Sequence, residues 1–206
     1  MLKRKTGRYL LTLLVITGLA GTIESNVISK KERKYALALV KSFREDALKN
    51  MRGLSEAQLN FRPSPEHWSI KECIYHIAAT EKNLWKSFET AMNKAPDPEK
   101  KEGIKLTDEQ VIDMIKNKSF GVITAERVQP NNTKYTTTEE AINDFRLNRV
   151  TQIKYMKTST EDLRNRTIQT AFGLIDCYQY YLFIAGYSNQ FVQQIKDIKA
   201  ASGFPK

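Results

Sequence analysis

Helix starts are written repeatedly into this chain. A capping box pairs a Ser, Thr or Asp at the cap with a Glu or Gln three residues on, each side chain satisfying a free backbone amide of the other. Ser29 with Glu32, Ser69 with Glu72, Thr107 with Gln110, Thr137 with Glu140, and Asp176 with Gln179 all fit. Each pair opens a stretch with apolar residues at helical spacing. The pattern predicts four long helices near 29–52, 69–93, 137–160 and 177–201, with a short extra helix near 107–118. Stops agree: Gly53 follows the first helix, Pro96 and Pro98 the second, and Gly203 and Pro205 the fourth.

The stripes say what these helices do. The first carries Tyr35, Leu39, Phe43, Ala47 and Met51, and the second Ile70, Ile74, Ile77, Leu84, Phe88 and Met92. The third offers Ala141, Phe145, Val150, Ile153 and Met156; the fourth has Tyr180, Ile184, Tyr187, Phe191, Ile195 and Ile198. Four apolar faces that must be buried against one another describe an all-α four-helix bundle, antiparallel or with crossovers. A long polar connection, 94–136, joins the second and third helices. Within it Val122, Ile123 and Thr124 read as a short strand or an extended loop.

With 206 residues and 41% hydrophobic content, the chain has enough apolar surface for one core. Residues 1–25 stand apart. Lys3, Arg4, Lys5 and Arg8 precede an apolar run from Leu10 to Ala20, shorter than the roughly 20 residues a membrane span needs. This is the pattern of a signal peptide cleaved near Ala20, or of an uncleaved N-terminal anchor. The expectation is export to the periplasm or beyond, with residues 26–206 as one domain and no membrane span after cleavage. The net charge of +10 falls to about +7 without the leader and is scattered through every helix. That describes a solvated surface rather than a specific nucleic-acid binder. Cys73 and Cys177 read either as a disulfide, which export permits, or as two small buried hydrophobes.

Two segments carry a family resemblance. One runs from Gly53 to Trp85 and holds Phe61-Arg62-Pro63-Ser64-Pro65-Glu66-His67-Trp68-Ser69, which leads into a helix containing His76. The other is Phe183 to Ile198, with Tyr187-Ser188-Asn189-Gln190-Phe191 followed by Gln193-Gln194-Ile195. Together they resemble the DinB-like family of four-helix proteins, which includes damage-inducible proteins and metal-dependent thiol transferases. The resemblance implies a divalent metal held by one histidine of the former helix and two of the latter. At those positions this chain has His76, Tyr187 and Phe191, so two of three ligands are missing. Phenylalanine has no donor, and a phenol with a reference pKa near 10 suits hard ferric iron better than zinc or nickel.

The expectation is therefore a metal-free pocket at His76, Tyr187 and Phe191; any metal would be zinc or nickel, with His76 as its one family ligand. His76 reads first as a hydrogen-bonded core residue, and otherwise as the partner of Tyr187 in a polar or acid–base pair. His67, Thr80 and Glu72 are the nearby groups a rearranged site would recruit, although Glu72 is better used in its capping box. Trp68, just before the Ser69 cap, reads as a hydrophobic staple on the first turn. The aromatic cluster of Tyr178, Tyr180, Tyr181, Phe183, Tyr187 and Phe191 reads partly as core, given the spacing, with the members off the stripe lining a groove or the homodimer face that the resemblance implies. Two functions remain in view. One is an exported domain that binds a small molecule or a protein without turning it over. The alternative is a metal-dependent hydrolase or thiol S-transferase working through a rearranged site around His76.

Overall fold

The computed structural model describes residues 27–116 and 133–206. The four long helices are α1 (Lys30–Met51), α3 (Ile70–Met92), α6 (Thr138–Thr158) and α7 (Cys177–Ala200), each within two residues of its predicted span. Three short helices accompany them: α2 (Glu56–Asn60), α4 (Pro98–Lys101) and α5 (Asp108–Lys116). The capping boxes at Ser29, Ser69 and Asp176 close in both directions, as does the Thr107–Gln110 pair. The Thr137 box is half-formed, because the Glu140 carboxylate accepts from the Thr136 amide instead. Ser55 and Gln58 make a further box, on α2, absent from the sequence reading.

The bundle is not purely α. β1 (Thr167–Thr170) and β2 (Gly173–Asp176) form an antiparallel hairpin that pairs Ile168 with Ile175 and leads straight into α7. Gly173, at φ 123°, occupies backbone space that side chains rarely allow. Beside the hairpin, Arg164 reaches Glu32, Asp108 and Asp176, ion-pairing the first turns of α1 and α5 to the α7 cap. The 1–25 leader and the Val122–Thr124 strand reading lie outside the described residues. Among the described residues no helix is long and apolar enough to cross a membrane.

α1 and α3 each pack between α6 and α7, which places α6 and α7 at opposite corners; α5 lies on α7. α7 is the inner helix, buried without interruption from Cys177 to Ser188. Tyr178, Tyr180, Tyr181, Phe183 and Tyr187 are all buried, because α1, α3 and α5 surround the helix, so the core reading holds for them, while Tyr178 with Leu182 also lines an open cleft against α1 and α5. Two stripes shift. On α1 the buried residues are Ala36, Val40, Ala47 and Met51, while Tyr35 is 42% exposed. A strict four-residue repeat drifts about 40° per step around a 3.6-residue helix, so it cannot stay on one face. On α6, Val150 faces solvent and Arg149 is buried in its stead. Cys73 and Cys177 are free and buried in separate parts of the core, and form no bridge.

Candidate functional site

The Ser69 cap starts α3 so that His76, two turns in, faces α7 and is only 1% exposed. On α7, Tyr187 and Phe191 stand one turn apart on the side that meets it. The Phe191 ring centre lies 4.2 Å from that of His76, and the Tyr187 ring centre 6.2 Å. Tyr187 Oη and Thr80 Oγ1 each approach His76 Nε2 at 3.4 Å, long for hydrogen bonds. The three singled-out residues therefore converge, and they converge as a packed cluster.

Trp68 completes it. Its ring sits 5.0 Å from His76 and stacks on Phe191 at 5.8 Å. The staple reading understated it: the indole reaches the second turn of α3 and crosses to α7. Phe191, with Trp68 behind it, fills the space beside His76. The other nearby groups are committed elsewhere. Glu72 caps α3 and pairs with Arg62. His67 stays outside in the loop, its Nδ1 2.7 Å from Ser64 Oγ. Burial pushes the Cys73 thiol up to about 12, so it stays protonated at neutral pH.

A polar network, absent from the sequence reading, lies one turn further along α3. Glu81 and Arg149 are 1% and 0% exposed, and Arg149 Nε lies 2.7 Å from Glu81 Oε1. Gln152 donates to the same carboxylate at 3.0 Å, while Arg149 reaches across the bundle to the Ala185 carbonyl at 3.1 Å and to Ser188 Oγ. Burial pushes the Glu81 carboxyl up to about 7, against the opposing pull of Arg149, Gln152 and Ser188. The group joins α3, α6 and α7 at their centre.

On the outer side of Phe191 an open cleft of about 480 Å³ separates the proline-framed loop from the second half of α7, lined by Pro63, His67, Gln190, Phe191, Gln194 and Asp197 among others. Phe191 is thus a partition, with His76 sealed on one side and the cleft on the other.

The DinB superfamily model matches residues 39–195, which takes in all of this geometry. The chain belongs to the DinB superfamily. Among solved structures, YfiT from Bacillus subtilis, described as a probable metal-dependent hydrolase with an unusual four-helix bundle topology, superposes with a TM-score of 0.59. The match covers 86% of this chain and 91% of that one at 12% identity, so it speaks to the fold alone. No curated protein matches. As a DinB-superfamily member the chain fails a direct test of fit for a zinc-type centre. Such a centre needs three donors and an open position; His76, Tyr187 and Phe191 offer one imidazole, one phenol and a hydrocarbon ring packed against the imidazole.

Proposed function

We propose that this protein is an exported, metal-free binding member of the DinB superfamily, which engages its ligand over the outer face of Phe191. The observation that carries the reading is the Phe191 ring 4.2 Å from His76, occupying the space where a metal and its substrate would sit. The alternative, a metal-dependent hydrolase or thiol S-transferase, draws on the description of YfiT and on the retained histidine. It lacks the donors, and a shared fold does not transfer chemistry when the site residues differ.

Elemental analysis of protein grown in metal-replete medium tests the reading. Less than about a tenth of a metal ion per chain is expected, with no loss of Tm on adding chelator. Near-stoichiometric zinc, nickel or iron would overturn it. A gain-of-function variant locates the position independently: Tyr187→His with Phe191→His should take up about one zinc or nickel per chain and gain thermal stability from it. N-terminal sequencing of secreted material, expected to begin just after Ala20, tests export.

A further inference from the structure

A second cleft, of about 680 Å³, opens between α1 and α5 over the N-terminal turns of α7, within the roughly 300–1,000 Å³ of small-molecule sites. It shares no lining residue with the cleft over Phe191. Its floor is Tyr178 and Leu182, one turn apart on α7 and both buried. Ala38 and Ile112 form apolar walls, and the exposed Tyr35 stands at the α1 rim. The frame is fixed. Tyr178 donates its hydroxyl proton to the Glu32 carbonyl at 2.9 Å and carries the Arg164 guanidinium over its ring, while Arg164 ties Glu32 of α1 to Asp108 of α5.

The two rims carry opposite charge. Lys31 and Lys34 line the cleft from α1, and Glu109 and Asp113 from α5, whose last turn adds Lys116. Glu32 and Asp108 also line it, but Arg164 takes up both carboxylates. Among the described residues Lys31, Lys34, Glu109 and Asp113 form no ion pair. Burial, and after it the charges of Asp113 and Glu109, hold the Tyr35 phenol above its ordinary value, so these carboxylates look across the cleft at α1. Lysines and carboxylates thus face one another over an apolar floor without closing on each other.

We infer that this cleft binds a short apolar peptide with both ends free. The terminal ammonium meets Glu109 and Asp113, the terminal carboxylate meets Lys31 and Lys34, and the apolar side chains lie on Tyr178 and Leu182. Complementary charge on the two rims sets the direction of the peptide, and the floor supplies the apolar contact. A single amino acid does not suffice, because its two charges sit on one carbon. In an extended tripeptide they stand roughly 10 Å apart, the order of distance that separates neighbouring helices. The site is additional to the cleft over Phe191, and neither reading depends on the other.

Calorimetric titration of the purified chain with the tripeptide leucyl-alanyl-leucine tests it. The tripeptide should saturate one site per chain below about 10 mM, and its N-acetylated and C-amidated forms should each bind at least about ten-fold more weakly. Free leucine should not compete. Glu109→Gln with Asp113→Asn should weaken the free tripeptide about ten-fold and leave acetylation without further effect. Lys31→Gln with Lys34→Gln should do the same for amidation. All four positions are exposed, so the urea midpoint of each variant should stay at the parent value, which separates a lost contact from a lost fold. Ala38→Trp, which fills the cleft from the α1 side, should abolish binding. No saturation by the tripeptide, equal affinity for a capped form, competition by leucine, or full affinity in any of these variants would each overturn the proposal.

Discussion

Phe191 is the residue on which the chemistry of the site turns, and the two histidines of the chain make its role measurable. His67 is exposed in the loop, whereas His76 is 1% exposed beneath the Phe191 and Trp68 rings. Carbethoxylation followed by mass spectrometry should modify His67 and spare His76. In Phe191→Ala, loss of the partition opens a path from the cleft to the imidazole, and both histidines should react. Equal protection of His76 in the variant would mean that other side chains seal it. That Tyr187 and Phe191 share a face was legible in the sequence, because i and i+4 on one helix face the same neighbour, and the family resemblance implied that His76 would be that neighbour's residue. The reach of Trp68 was not. A tryptophan before a cap packs on the first turn by default, and only the approach of α7 draws its ring onward to Phe191.

Helix packing makes its own demand at Gly186, in the buried run of α7. A Cβ there would stand 2.2 Å from Ile115 Cγ2, so α5 approaches α7 as closely as it does because this position has no side chain. Gly186→Ala would gain about 1 kcal/mol of helix propensity, but overpacking costs about 1–3 kcal/mol. The net expectation is a lower urea midpoint, recovered when Ile115→Ala is added to make room; a variant as stable as the parent would show that α5 yields freely. Elements with strong terminal signals were readable in advance: Ser29, Ser69, Thr107 and Asp176 each announced a helix start to within a residue or two. The hairpin was not, although Thr167, Ile168 and Thr170 are β-branched and Gly173 punctuates the run. Strands of four residues are too short for period-two alternation to stand out, and their pairing is seen only in the register that sets Ile168 against Ile175.

Across the whole molecule, the central ion pair is the feature that ties stability to solution conditions. Its traces are in the sequence as gaps: the α3 stripe skips from Ile77 to Leu84 with Glu81 in the missing turn, and Arg149 takes the regular position after Phe145 on α6. A charge in an apolar stripe reads as an irregular stripe until an opposite charge on a facing helix is seen beside it. At pH 8, above the Glu81 titration, breaking the pair with Arg149→Leu takes the cation from a buried carboxylate and should cost about 3–5 kcal/mol, whereas replacing both partners by apolar residues should cost less. The pH dependence follows from the raised Glu81 carboxyl, up to about 7 in the folded chain from an ordinary 4.5. Below the ordinary value both folded and unfolded chains are protonated there, and the stabilisation is fully present. As pH rises the unfolded chain releases its proton first, so stability falls through this window by about 3 kcal/mol and levels off above it. The raised Asp176 and the lowered Glu32 also make stability vary with pH, but they do so in any Glu81 variant and cancel in a comparison. Urea denaturation at pH 5 and pH 8 should therefore show the parent losing much more stability with rising pH than Glu81→Gln, which has no proton to lose. Parallel losses in the two proteins would mean that the pull of Arg149 outweighs burial and keeps Glu81 ionised throughout.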